Sequence, residues 1–488
     1  MKNILIIGGG LGGLSAAISL QSKGYQVTII DENQHPGGKM MSVKMGGYSF
    51  DFGPNTITMP KVFQSVINDA GGDSSSYFQF EKLEKHTKNV FSNGKVLFQS
   101  ANPEEMIAEL RKFDSLGASR YREYLKEVNR LYLLAEKSFF YRVFDSWKDY
   151  LSPQLSRSFM KVRPFEKMNH FHRRYFRDED VLKVFNRYAT YVGSSPFSCP
   201  ATFSLIGHLE MNDGVYYAKG GNTSIATGFR QFFEEIGGVC KFGTRVEEII
   251  VKKKRVIGVS TSDGEFLMGD DVIINGDFIT ATRNLIREED RLSFPNKKLD
   301  SYQPSISAFV ILAGVKEYQE SIHHHQLFYS EDYKKEFDEI FKDKRLPGDP
   351  TIYISHSAAT DPNITKGSNL FILVNAPAID LKRDEIVQYK EKIYDKLENH
   401  GIFIRDSIEV EKIFTPNTIK SKFSAYKGAL YGIASHSMTE SFLRPSNVSK
   451  DIDRLFYVGG TTHPGGGSPM VTISGRNVAN YILNRDKV

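Results

Sequence analysis

Cysteine is nearly missing from this 488-residue chain: only Cys199 and Cys240 occur, far apart. They match neither a redox CxxC nor a metal-ligand spacing, so no disulfide is expected and a reducing cytoplasm is the simplest setting. No stretch approaches the roughly 20 apolar residues of a spanning helix, which argues against a transmembrane anchor. The first strand begins at once after Met1, leaving no room for a charged leader with an apolar core, so no signal peptide is expected. Charge of one sign is scarce too. A net +5 with 25% charged residues is too mild to point to nucleic acid, although a basic face toward an anionic membrane is compatible with it. Repeats and low-complexity linkers are lacking, so the expectation is one body of two or three interleaved regions around a large core.

What is present starts with the first thirty-one residues. Ile4 to Ile7 form an apolar, mostly β-branched run, and Gly8, Gly10 and Gly13 then fill the positions of GxGxxG. Gly8 permits the tight turn, Gly10 the approach of a pyrophosphate, and Gly13 the close packing of the following helix on the sheet. Leu14, Ala16, Ala17, Ile18 and Leu20 carry helical spacing, Gly24 ends the helix, and Val27 to Ile30 form a second strand that delivers Asp31 to a ribose hydroxyl. Helix-start amides face the phosphates. This βαβ unit predicts a bound dinucleotide whose adenosine ribose lacks a 2′-phosphate.

Further along, residues 102–209 are rich in helix formers and predict a mainly helical region. Helical spacing covers Thr223 to Ile236. Val239–Phe242, Val246–Val251, Val256–Ser260 and Phe266–Met268 read as a β-meander, followed by Val272–Asn275 as a buried strand. From Ser305 to Val315 and from Thr351 to Ala376 the pattern suggests a second sheet of non-contiguous strands, and a helix is expected over Arg383–His400. Leu455–Val458 is a last apolar strand. It ends at Gly459-Gly460 and leads through His463-Pro464-Gly465-Gly466-Gly467-Ser468-Pro469 into a helix with Val471, Ile473, Val478, Ala479 and Ile482 on its apolar face. The bend brings amides and a helix N-terminus to whatever lies above it.

Gly37-Gly38-Lys39 and Phe50-Asp51-Phe52-Gly53-Pro54 follow the first unit at a distance that resembles flavoproteins of the glutathione-reductase type, above all the amine oxidase and phytoene desaturase branch. Thr462 to Pro469 closely resembles the THPG[AG]G-P segment of the bacterial carotenoid desaturase and oxidase family. Amine oxidases usually have Gly-Glu at the strand end, where this chain has Gly459-Gly460. Pro464 to Gly467, Pro469-Met470-Val471 and Ser474-Gly475 are similar to the diaponeurosporene oxidase type, and the resemblance, with Tyr191-Val192-Gly193 and Lys219-Gly220-Gly221, covers essentially the whole chain. It implies FAD, held by Gly8, Gly10, Gly13, Asp31, Gly38, Lys39, Gly53, Pro54, Val246 (beside the adenine), Gly459, Gly460, Gly467, Pro469, Met470 and Val471.

The fold class implied is α/β: a Rossmann-type FAD-binding domain assembled from 1–75, 217–285 and 440–488. An α+β substrate domain (76–105 and 286–439) and a helical, membrane-facing subdomain (106–216) complete it. The activity implied is FAD-dependent oxidation of an acyclic, C30-type carotenoid, leaning to a terminal methyl. Desaturation, flavin-dependent isomerisation and carotenoid binding without turnover are the alternatives. Other carotenoid-pathway enzymes are possible partners.

A polyene has no polar handle, so its channel needs aromatic and branched walls; Phe309, Phe328, Tyr353 and Phe371 fall on the proposed substrate strands. His463 is the only titratable side chain of the flavin-side motif, a candidate for proton transfer or for positioning the turn. His323-His324-His325 lacks an acid or cysteine to complete a metal shell and reads as an exposed strand edge; no metal is expected. From Phe139-Phe140-Tyr141-Arg142 to Phe171-His172-Arg173-Arg174-Tyr175-Phe176-Arg177, with Trp147 between, aromatic and basic residues interleave as at a bilayer interface. Peripheral contact there, from the cytoplasm, would let a membrane-dissolved polyene enter directly.

Overall fold

Asn3–Ile7 and Asp271–Ile274 are apolar without alternation because both faces are covered, as parallel strands between helices require. In the computed structural model, which describes residues 2–145, 153–442 and 444–487, they lie at the centre of a five-stranded parallel sheet. Its order is Leu455–Tyr457, Asp271–Ile274, Asn3–Ile7, Gln26–Asp31, Val239–Phe242. Helices Leu11–Gln21, Ser224–Glu235 and Ser468–Arg485 cover it. A Cβ on Gly475 would stand 2.0 Å from the Gly12 carbonyl oxygen, so the first and last helices pack backbone against backbone.

Val239–Phe242 thus belongs to the parallel sheet, paired with Gln26–Asp31, and not to the meander expected from sequence. Four residues are too few for periodicity to distinguish the two, and the preceding helix carries the strand back as a crossover. The meander keeps Val246–Lys252, Arg255–Thr261 and Phe266–Met268.

A second, seven-stranded sheet has the order Ile408–Phe414, Ser307–Val315, Ser368–Ala376, Ile352–His356, His325–Phe328, Thr87–Val90, Val96–Gln99. The last two strands, and the hairpin Met41–Met45/Tyr48–Phe52, went unread in the sequence. His325 sits between two strands of this sheet and is buried, as is His324, so the histidine run is no exposed edge. The neighbouring strands come from distant sequence and cannot be seen in the run itself.

The helical region is built from Pro103–Arg111, Ser115–Ala135, Pro153–Lys161, Met168–His172, Glu179–Asn186 and shorter turns up to Asp213. Phe139, Phe140, Phe171, Tyr175 and Phe176 are core residues there. Phe176 stacks on Phe185 at 4.1 Å, so this aromatic stripe does not form an interfacial surface as expected. Trp147 lies outside the described residues. No described helix is long and apolar enough to cross a membrane.

Candidate functional site

Asn3–Ile7, Gln26–Asp31, Asp271–Ile274 and Leu455–Tyr457 run parallel, so the residues that follow them emerge at one edge of the sheet, where open α/β sheets bind ligands. A cavity of about 420 Å³ opens there. Gly8 turns at φ +103°, and a Cβ on it would lie 2.4 Å from the Asn275 carbonyl oxygen; one on Gly13 would lie 2.2 Å from the carbonyl oxygen of Gly8. Asn275 Nδ2 donates to that Gly8 oxygen at 3.0 Å, clamping the turn from the neighbouring strand. The Gly9 N–H donates to Asp31 Oδ2 at 2.6 Å and the Asn33 N–H to Oδ1 at 2.8 Å, holding a buried carboxylate at the rim.

Gly8, Gly10, Asp31, Gly38, Lys39, Gly53, Pro54 and Val246 line this cavity. Gly459, Gly460, Gly467 and Val471 line it too. Gly13 stands behind the turn. Pro469 is buried in the first turn of the last helix, and Met470 packs toward the helical region. Sequence reasoning missed Asn275, Gly276, Asp277 and Tyr431, which also line the cavity. The first three end a strand that was recognised, and its parallel course would have pointed to them.

Lys39 is held in the cavity wall, its Nζ donating to the Leu430 carbonyl at 2.7 Å, and burial pulls its ammonium pKa down. Burial pushes the Asp277 carboxyl up, against the Thr280 N–H and the Lys39 charge that lower it. Asp277 Oδ2 has no partner. Asp51, of the Phe-Asp-Phe-Gly-Pro segment, accepts from the Asn222 and Thr223 N–H groups at 3.0 and 3.3 Å, capping the helix Ser224–Glu235. Arg444 reaches the flavin-side turn from below, donating to the Gly460 carbonyl at 3.1 Å. Its burial lowers the guanidinium pKa to about 10.

His463 is turned away from the cavity. It is buried, with Nε2 donating to the Phe139 carbonyl at 2.6 Å and its ring edge-on to Phe144. Burial lowers its pKa to about 4, so near neutrality it is an uncharged tie between the turn and the helical region.

The seven-stranded sheet walls the far side. Register places Leu312, Phe371, Ser355, His325, Thr87 and Gln99 in one row of this face, and Val310, Leu373, Tyr353, Leu327, Asn89 and Leu97 in the next. Val310, Phe371 and Leu373 line the cavity. Phe309 and Phe328 have the opposite parity and pack with Tyr389 and Ile393 of the helix Arg383–Asn399. They are core, not channel wall.

Residues of both glycine motifs therefore meet in one cavity. A profile of the family described as flavin containing amine oxidoreductase matches residues 11–483. The chain belongs to this family. It is 32% identical to a 4,4'-diapolycopene oxygenase of a Methylomonas species, over 99% of this chain and 98% of the relative. It is 33% identical to a 4,4'-diaponeurosporene oxygenase of Staphylococcus haemolyticus, over 99% and 97%. A 1-hydroxycarotenoid 3,4-desaturase of a Flavobacterium species is 32% identical over 99% of both chains. Among solved structures, an oxidoreductase from Methanosarcina mazei aligns with TM-score 0.63 and 16% identity over 98% and 100%. A putrescine oxidase bound to putrescine aligns with TM-score 0.64 and 12% identity over 99% of both chains. At such identities these two show the fold alone. The protein is an FAD-dependent oxidoreductase, and its cleft suits FAD: the Asp31 carboxylate, the first glycine turn and the last glycine bend all line it.

Proposed function

We propose that this enzyme oxidises an acyclic, C30-type carotenoid, acting on a terminal methyl. The full-length match at 32–33% to two carotenoid oxygenases carries this reading, supported by the apolar wall of Val310, Phe371 and Leu373 across the cavity. The adenosine end is assigned to Asp31 and Val246, the diphosphate to Gly8 and Gly10, and the ring end to Lys39, Gly53, Gly459, Gly460 and Gly467. When bound, FAD supplies hydride acceptance and reoxidation by dioxygen. By that route one terminal methyl, one water and two O2 give one aldehyde and two H2O2, the water supplying the carbonyl oxygen. The chain's own contribution is to exclude water with the apolar wall and to turn helix-start amides at Gly467–Ser468 toward developing negative charge.

The decisive experiment is mass analysis of products formed under air from a desaturated C30 hydrocarbon by the purified, lipid-supplied, FAD-loaded protein. An aldehyde or acid at the chain end supports methyl oxidation; loss of hydrogen alone makes the enzyme a desaturase.

Peripheral membrane contact from the cytoplasmic side belongs to the same proposal, carried not by the buried Phe139, Phe140, Phe171, Tyr175 and Phe176 but by exposed side chains in and beside that stretch. Leu133, Tyr141, Met160 and Phe165 are each more than half exposed, in a region that also carries Lys137, Arg142 and Lys161. Exposed apolar side chains in a stretch that also carries basic ones suit an anionic bilayer surface.

A further inference from the structure

The sheet face that walls the flavin cavity is apolar beside the cavity and turns polar one residue further on. Tyr353 packs on the cavity residue Phe371 with ring centroids 6.5 Å apart, and His325 stacks behind Tyr353 at 5.9 Å. From the helical region, Arg187 Nη2 donates to both carboxylate oxygens of the fully buried Glu210, at 3.2 and 2.9 Å. Arg187 Nη1 donates to the Tyr191 hydroxyl at 3.1 Å, and that hydroxyl donates to Glu210. The two groups meet at the core of the helical region: Tyr191 and Tyr353 both pack against the same apolar cluster, and both keep part of their surface open.

Such a cluster is a poor device for stability. A buried ion pair gains little over a well-packed apolar substitute. Here the cluster also strands polar atoms: Arg187 Nε, His325 Nε2 and His86 Nε2 are buried without partners. A count of protons sharpens this. Tyr353 and a neutral His325 share one hydrogen bond of 2.8 Å between the phenol oxygen and Nδ1, yet own two protons. In either tautomer one donor, Nε2–H or the phenol O–H, is left over from that bond. A hydrocarbon cannot use any of these groups.

We propose that this cluster, centred on Tyr353, His325, Tyr191 and Arg187, binds the oxygen-bearing end of the polyene, a terminal carbonyl that accepts hydrogen bonds beside the flavin site. The proposal rests on the carotenoid reading above. It makes a polyene already oxidised at one end a better ligand than the parent hydrocarbon, so that a first product is retained.

The test uses detergent-solubilised, FAD-loaded protein titrated with an all-trans acyclic C30 polyene hydrocarbon and with its mono-aldehyde, following the polyene absorption band. The aldehyde is expected to bind at least about tenfold more tightly, the size of one well-made hydrogen bond. Tyr353→Phe and Tyr191→Phe should each bring the ratio of the two affinities within about threefold, with flavin content and Tm recorded as folding controls. Equal affinities in the unmodified protein overturn the inference without need of a variant, and so does a preference that survives both substitutions. Hydrocarbon turnover with equal affinities defeats this inference alone; if neither polyene binds, the carotenoid reading falls with it.

Discussion

Asn275 concentrates what single residues decide here. Its amide holds the Gly8 carbonyl, and Cβ atoms on Gly10 or Gly12 would meet its side chain at 2.9 and 2.7 Å. Asn275→Ala should therefore loosen the glycine turn and weaken FAD binding by roughly tenfold, about 1.4 kcal/mol, read by fluorescence titration of the apoprotein. His463 decides something different. Its folded pKa, lowered to about 4, lies below the ordinary 6.5, so the unfolded chain binds the extra proton first. The stability tied to its neutral form is present above pH 6.5 and is lost as pH falls toward 4. Replacing it by Asn should flatten the dependence of unfolding free energy on pH in that window by up to about 1.4 kcal/mol per pH unit. Denaturant melts at several pH values measure this, and an unchanged slope would show that the ring is not buried neutral. Oxidation rate between pH 6 and 8 should show no inflection from this residue.

At the scale of elements, helix starts and strand parity carry the argument. Asp51 caps the helix Ser224–Glu235 from a distant hairpin, so Asp51→Ala should cost about 1 kcal/mol in a urea melt. Parity separates two phenylalanines that look alike in sequence. Phe309 is fully buried between the seven-stranded sheet and the helix Arg383–Asn399, whereas Phe371 lines the cavity. Phe309→Ala should lose about 3–5 kcal/mol of stability and leave the spectrum of the flavin in surviving folded protein unchanged. Phe371→Ala should shift that spectrum. Parity was available in Ser307–Val315 from the start, but which face meets the cofactor depends on a helix some seventy residues later.

For the whole molecule, the parallel sheet is assembled from strands at the beginning, middle and end of the chain, so the cofactor cleft exists only when all three pieces have met. FAD binds that assembly and not the unfolded chain, and at a thousandfold excess over its Kd should add about 4 kcal/mol of stability, visible as a concentration-dependent Tm. The exposed patch gives a second whole-molecule test. Met160→Asp with Phe165→Asp should reduce cosedimentation with anionic vesicles severalfold while FAD content stays constant, since neither side chain lines the cofactor cavity.

Much of the cavity lining was legible at both ends of the chain because its chemistry is written locally. Glycines are needed where backbone must approach a phosphate, an acid must follow the second strand, and an apolar strand must lead into the last glycine bend. Gly8, Gly10, Asp31, Gly459 and Gly467 could be named before any fold was known. Asn275 and Asp277 follow a strand that was recognised, but nothing local says that its end lies beside the first glycine turn. The polar wall was illegible for the same reason. His325, Tyr353, Tyr191 and Glu210 come from four separate elements, and an isolated histidine or tyrosine reads equally well as core or surface. Local periodicity and motif spacing determined a dinucleotide site and most kinds of element, and the family resemblance made the dinucleotide FAD; register between distant strands, and the burial it imposes, decided which side chains face the cavity.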